Sequence, residues 1–466
     1  MHIDSISLEN FRCFKSLSID FHETLTVLVA SNGGGKTTLL DAARISIWPY
    51  VKAFDLGSQA GKSATIQIDD VRQELKADKN METVVPSKII AKGTLLSESL
   101  EWVQYREKTK LGTNTKSDRS AKLITEIGKE LEHLVRNEEG PTTVDLPVVV
   151  YLGTGRLWYQ GRYTAKVVDK KLNKAVFSRF WGYRDCLTAT SSYKQFEDWY
   201  AWVFRSYREV QIERMESGEE YSNFINEADY ISLRNTIFVI QEAVNKITQK
   251  TTGWKDLQYS SRHQQKLVMV HDKYGSLPLD MLSDGIRNIV VLVSDIAFRC
   301  IKLNPHLGLD AATKSSGVVL IDEVDMFLHP QWQQRILGGL QEAFPNLQFI
   351  VTTHSPQVLS TIPKECIRVL GESENGSVAA EPNAYSYGEP SNDVLQAIMG
   401  VDPIPPVAEK EALERLTNLV DQGRYESDEA RQLLNTLTMK LHPTHPQLQK
   451  IERSINRQNF LAKDKG

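Results

Sequence analysis

The chain has little of what would mark a secreted, membrane-spanning or zinc-built protein. Its 466 residues include four cysteines, Cys13, Cys186, Cys300 and Cys366. They are scattered, without C-x-x-C spacing or paired histidines nearby, which excludes a disulfide framework or zinc ribbon and implies free thiols in a reducing cytosol. Neither sign of charge dominates, with 55 Lys and Arg against 59 Asp and Glu and a net charge of −4. That balance excludes a wholly basic nucleic-acid coat but not a local basic patch. Long hydrophobic runs are missing too. The longest, 289–298, is interrupted by Ser294 and Asp295 and is too short to span a bilayer. Asp4, Glu9, Arg12, Lys15 and Asp20 crowd the first twenty residues, unlike a signal peptide, so a cytoplasmic protein away from membranes is expected.

What is present is a globular composition, 41% hydrophobic and 24% charged, long enough for two to three domains or one domain with large insertions. Its most informative stretch is Leu25-Thr-Val-Leu-Val-Ala30-Ser31-Asn32-Gly33-Gly34-Gly35-Lys36-Thr37-Thr38. It reads as a buried strand, a glycine-rich loop and a helix start. The glycines let backbone N–H groups approach an anion, and the helix N-terminus adds partial positive charge. Lys36 suits β- and γ-phosphates, and the Thr37 hydroxyl suits Mg²⁺. The pattern G-x-x-x-x-G-K-[ST] opens with glycine, whereas this chain has Ala30. A glycine-rich turn with a chance Lys-Thr pair is the bland alternative.

Three later motifs bear on that choice. In Gly317-Val-Val-Leu-Ile321-Asp322-Glu323 a buried strand ends in an acidic pair, where α/β sheets bind ligands. Asp322 suits the Mg²⁺ shell and Glu323 a water-polarising role. Leu347-Gln-Phe-Ile-Val-Thr-Thr-His354 is another buried strand, and its spacing predicts that His354 lies on the next strand of the sheet, within reach of a γ-phosphate. Met281-Leu-Ser283-Asp-Gly285-Ile-Arg-Asn288 precedes an apolar helix, and there Ser283 reads most simply as an N-cap.

Alternating strands are expected at 3–8 and 16–21, and further strand-like pieces at 64–68, 88–96 and 100–105. An amphipathic helix carries Ile124, Ile127, Leu131, Leu134 and Val135 on one face, and 146–152 returns as a buried strand. Tyr193, Phe196, Trp199, Tyr200, Val203 and Phe204 fall at helical spacing, as core packing does, and 231–247 follows as another helix. The expected organisation is a first head segment over 1–165 with a β-rich insertion at 52–145. A helical insertion at 166–261, a second head segment at 262–405 and a helical tail at 406–466 complete it.

Taken in order, these motifs resemble the ATP-binding-cassette type of ATPase head. That group includes structural-maintenance-of-chromosomes heads, RecF-type repair proteins and the overcoming-lysogenization-defect family. The opening Ile6-Ser-Leu-Glu-Asn-Phe-Arg12-Cys-Phe resembles their first strand, and implies a phosphate-reaching role for Arg12. The resemblance implies an α/β head with a mixed, largely parallel sheet, flanking helices and an antiparallel β-lobe, here with a helical insertion and tail. It implies two heads sandwiching two ATP molecules with Mg²⁺, each site completed by Ser283 and Gly285 of the other subunit. The signature reads Leu-Ser-Asp-Gly-Ile-Arg in place of Leu-Ser-Gly-Gly-Gln, and Val324-Asp325-Met-Phe-Leu328-His329-Pro330 follows the acidic pair. Both features are similar to the overcoming-lysogenization-defect branch. Gln160 is the candidate for the Mg²⁺-sensing glutamine.

Within that branch the chain resembles the ATPase subunits of Septu defence systems (PtuA) and their retron-associated relatives. The carriers are Gly153-Thr-Gly-Arg156-Leu-Trp158, Gly182-Tyr-Arg-Asp-Cys-Leu187 with Phe196-Glu-Asp-Trp199, and the tail from Ser391-Asn-Asp393. This implies a multimeric ATPase holding an HNH-nuclease partner. About 110 residues follow His354, without a D-x-D pair on an apolar strand, so no nuclease site of the chain's own is expected. Two loose basic runs are candidates for DNA contact: Arg106, Lys108, Lys110, Lys116, Arg119 and Lys122, and Lys166, Lys170, Lys171, Lys174 and Arg179. A DNA-repair ATPase and a non-hydrolysing ATP sensor are the alternative readings.

Overall fold

The structure, a computed structural model, describes all residues except 58–63, 138–139, 141–142, 158–177, 189–192, 218–227, 374–375, 443 and 464–466. Gln160, Trp158 and the lysines at 166, 170, 171 and 174 lie outside the described residues. The chain divides into two compact units, Met1–Met399 and Gly400–Gly466.

The first unit is built on a six-stranded sheet. Its order is Gly376–Ala380, Ile367–Ser373, Leu25–Val29, Leu347–Thr352, Gly317–Ile321 and Val148–Leu152. The last five are parallel, and Gly376–Ala380 is an antiparallel edge. Four of them, Leu25–Val29, Leu347–Thr352, Gly317–Ile321 and Val148–Leu152, are buried along their whole length, as strands covered on both faces must be. Helix Lys36–Val51 packs on the central strands, and helix Asp284–Leu303 on Val148–Leu152 and on helix Ala228–Thr252.

A second, antiparallel sheet runs Phe14–Asp20, His2–Phe11, Ser87–Leu95, Glu98–Arg106, Lys116–Ser117. Gln348, buried on the central parallel strand, fastens this lobe to the main sheet. It accepts from the Ile3 N–H at 2.9 Å and donates to the Ile3 carbonyl at 2.8 Å. Gln348→Ala leaves those groups without partners, so unfolding by urea is expected to show about 2–3 kcal/mol lost stability. A loss within experimental error would contradict this fastening role.

The lobe also repairs a defect in helix Lys36–Val51. Pro49 lacks the N–H that the Ile45 carbonyl would otherwise receive, and the Gln104 side chain donates to that carbonyl instead. Trp102 Nε1 donates to the neighbouring Ser46 carbonyl at 2.8 Å. The segment expected as a strand at 64–68 is not one. A short 3-10 turn forms at Ile68–Asp70, because Asp70 accepts from the Gln67 N–H and closes a capping box. In helix Arg119–Asn137, Ile124 and Leu131 are buried but Leu134 is half exposed.

Phe196, Trp199, Tyr200 and Phe204 of helix Tyr193–Ser217 are core. Phe196 stacks on Tyr200 at 5.4 Å, and Trp199 meets Phe298 edge-on at 4.5 Å. The second unit contains helices Lys410–Asp421, Asp428–Lys440 and Pro446–Lys463 around Leu413, Leu416, Leu419, Ala430, Leu437, Leu448 and Ile451. Ser427 caps the second of these helices, its hydroxyl accepting from the Ala430 N–H.

Candidate ATP site

Three neighbouring parallel strands end at one edge of the main sheet, each delivering a turn with polar groups. The strand Leu25–Val29 delivers the glycine-rich loop, Leu347–Thr352 delivers Thr353 and His354, and Gly317–Ile321 delivers Asp322 and Glu323. The expected adjacency of the histidine-bearing and acidic strands is therefore realised.

The loop leads into helix Lys36–Val51, whose N-cap, Gly35, is left-handed with φ 90° and offers no side-chain cap. First-turn N–H groups without a capping side chain form an anion-binding end. A Cβ on Gly35 would lie 2.2 Å from Phe14 Cζ, so both conformation and space demand glycine. Gly35→Ala is expected to unfold at a lower temperature and to lose nucleotide binding; unchanged melting and binding would refute the fit. Ala30, in the place of the first glycine, keeps its methyl because Gly34 opposite has none. A Cβ there would sit 2.7 Å from Ala30 Cβ. Ser31, Asn32 and Gly33 are exposed, and Thr38 is half-buried.

Lys36 is buried, and its ammonium donates to the carbonyls of Ala30 at 2.9 Å and Ser31 at 3.2 Å. Burial lowers its pKa, against the pull of the Asp322, Glu323 and Asp325 carboxylates. The Thr37 hydroxyl donates to Asp322 Oδ2 at 3.0 Å. Buried Asp322 also accepts from the Thr352 hydroxyl at 2.7 Å, and that same hydroxyl accepts from the Glu323 N–H at 2.7 Å. Thr353 donates to Asp325 at 2.6 Å.

Glu323 itself is left-handed, with φ 49°, a conformation that costs of the order of 1–3 kcal/mol for a residue with a side chain. Arg156 holds it there. This arginine is 1% exposed and donates to the carbonyls of Asp322 at 2.7 Å, Glu323 at 2.8 Å and Gly153 at 3.1 Å. Burial lowers its pKa to about 10, with Asp322, Glu323 and Asp325 opposing, so it remains a cation at neutral pH.

Arg12 occupies a different setting from Lys36. Its guanidinium donates to Asp41 at 2.7 Å and Asp70 at 2.8 Å, and its backbone is left-handed. Burial pulls its pKa down, but the two carboxylates outweigh that and raise it. Ser283 is exposed and caps helix Asp284–Leu303, its hydroxyl accepting from the Ile286 N–H. A Cβ on Gly285 would lie 2.7 Å from the Phe327 carbonyl, so the signature rests directly on the loop after the acidic pair. Among the described residues no hydrogen bond joins Ser283 or Gly285 to the glycine-rich loop, or His354, which is exposed, to any group.

The sequence motifs contain Arg156, Thr352 and Thr353 but do not signal these roles. The available signal was an arginine three residues beyond Gly153 at the end of a buried strand. Of the basic runs, Arg106 is buried and donates to the Ile66 and Thr113 carbonyls, Lys116 pairs with Glu107, and Arg179 donates to the Leu303 carbonyl. Lys108, Lys110, Arg119 and Lys122 are exposed.

The chain matches the AAA domain family over residues 5–252, more than half its length, and a second AAA-domain family over 173–360. It is 27% identical to the Retron Vc95 probable ATPase of Vibrio cholerae, over 94% of this chain and 87% of that one. It is 20% identical to the Septu protein PtuA of Bacillus thuringiensis, over 95% of each. Among solved structures it aligns with the SMC head domain from Thermotoga maritima at 15% identity and TM-score 0.41. That alignment covers 82% of this chain and 100% of the other. No helix among the described residues is long and apolar enough to cross a membrane. The chain therefore belongs to the AAA domain family, and is similar over nearly its whole length to retron and Septu proteins.

Proposed function

We propose that the chain binds and hydrolyses ATP, and that pairing of two ATP-bound heads governs an HNH-type nuclease partner in cytoplasmic defence against phage. The observation that carries the ATP reading is the meeting of Thr37, Asp322 and Thr352 beside a helix N-terminus that no side chain caps and a buried lysine. The donor set fits Mg²⁺, which takes hard oxygen ligands and draws the rest from phosphate and water. Thr37 and Asp322 would hold the ion, which would supply charge neutralisation at the β- and γ-oxygens.

The chain's own residues divide the remaining work. The N–H groups from Gly33 to Thr38, with Ser31 and Asn32 at the loop's rim, would cradle the phosphates. Lys36 would exchange loop carbonyls for phosphate oxygens. Glu323, fixed by Thr352 and Arg156, would orient the attacking water, and exposed His354 would turn to the γ-phosphate. Arg12 would add a second cation from its seat on Asp41 and Asp70. Ser283 and Gly285 would complete the site of the other head.

The defence reading is supported by the retron and Septu relatives over nearly the whole chain. Light scattering on the Glu323→Gln protein tests the pairing: its mass is expected to double with ATP and Mg²⁺ and not with ADP. A constant mass would remove head pairing from the account. Copurification with an HNH-type protein encoded beside the gene tests the partner, and its failure would leave the ATPase reading without a nuclease.

A further inference from the structure

Arg156 joins two parts of the chain that are 132 residues apart. Besides holding the Asp322 and Glu323 carbonyls, it donates from Nε to Asn288 Oδ1 at 2.8 Å. Asn288 lies one turn into the signature helix and is 1% exposed. Its amide donates in turn to the Met326 carbonyl at 2.9 Å. The segment from Glu323 to Phe327 is bracketed by two left-handed residues, φ 49° and φ 63°. Such conformations persist only where their surroundings impose them. Arg156 grips one end of this segment and Asn288 holds Met326 near the other, where the Phe327 carbonyl lies so close to Gly285 that a Cβ added there would sit 2.7 Å from it.

We infer that Arg156 and Asn288 are positioning residues that couple the signature helix to the turn carrying Glu323, so that the seating of Ser283 and Gly285 sets whether Glu323 is aligned for hydrolysis. This rests on the ATP reading above. The contacts themselves favour a coupling role over simple core filling. Arg156 bonds to backbone carbonyls, which leaves the Asp322 and Glu323 carboxylates available for metal and water. Asn288 uses both ends of its amide, one toward Arg156 and one toward the loop, so it cannot move with the helix without moving both. A signal arriving at the signature from a second head therefore reaches the first head's own acidic turn through buried, directional bonds.

The experiment uses the full chain with Asn288→Ala, Asn288→Asp and Arg156→Lys, measuring mant-ATP affinity, steady-state phosphate release and melting temperature. Asn288→Asp keeps the acceptor for Arg156 and the side-chain volume but loses the donor to Met326. All three variants are expected to bind mant-ATP within about two-fold of wild type, while kcat falls about 10- to 100-fold at unchanged KM. Asn288→Asp is expected to fall less than Asn288→Ala. Wild-type kcat in folded Asn288→Ala or Asn288→Asp would overturn the inference. So would a kcat loss that only tracks lost binding or lowered melting temperature. If Asn288→Ala fails to fold, the isosteric Asn288→Asp decides. Normal turnover in the Asn288 variants, with Glu323→Gln inactive, would sink the coupling alone; no phosphate release by wild type would sink the ATP reading itself.

Discussion

Replacing Glu323 with Gln is expected to cut ATP turnover by about 10²- to 10⁴-fold while leaving ATP affinity nearly unchanged. The substitution is isosteric, and the bonds that hold this residue left-handed are made by its backbone, to Thr352 and Arg156. They survive the change, so the turn keeps its shape. What is lost is the carboxylate to which the proposed mechanism gives the orienting and deprotonation of water. Single-turnover phosphate release checks this, with nucleotide retained on the protein after gel filtration as the companion readout. Release at the wild-type rate would remove Glu323 from the chemistry.

Lys36→Ala is expected to fail earlier, at binding. The Lys36 ammonium donates to loop carbonyls at 2.9 Å and 3.2 Å, and in the proposed site its removal would delete charge-assisted hydrogen bonds to phosphate. A charged hydrogen bond of about 1.5–3 kcal/mol corresponds to roughly 10- to 150-fold weaker ATP binding. Burial already lowers this lysine's pKa, so replacing it removes a poorly solvated charge as well, and folding stability should change much less than affinity. Titration with mant-ATP and thermal melting separate the two effects. Equal affinity in the variant would mean that the loop does not hold phosphate through Lys36.

Much of this was legible in the sequence, for a physical reason. Strands buried on both faces must be apolar throughout, so 25–29, 148–152, 317–321 and 347–352 announce themselves, and each of the last two ends in the polar group it delivers. Strand order carries no such signal. It is set by pairing between segments hundreds of residues apart, such as Phe349 with Leu25. The reading of 64–68 as a strand failed because periodicity is blind to the Gln67–Asp70 capping box. Pro49 within a helix is tolerated only because Gln104, from a different sheet, supplies the donor that proline lacks. The site shows the same divide. Lys36, Thr37, Asp322 and Glu323 belong to short motifs of local chemistry. Arg156 and Asn288 act across 132 residues and become visible only when their bonds are seen.

The central claim is that the turns ending three neighbouring strands make one ATP site, and equilibrium binding of ATP with phosphate release by the same full-length protein tests it most directly. The account predicts saturable, Mg²⁺-dependent binding and release, with Lys36→Ala losing both and Glu323→Gln losing release alone. A folded wild-type protein that binds no nucleotide at about 1 mM ATP, the upper end of ordinary KM values, would contradict it.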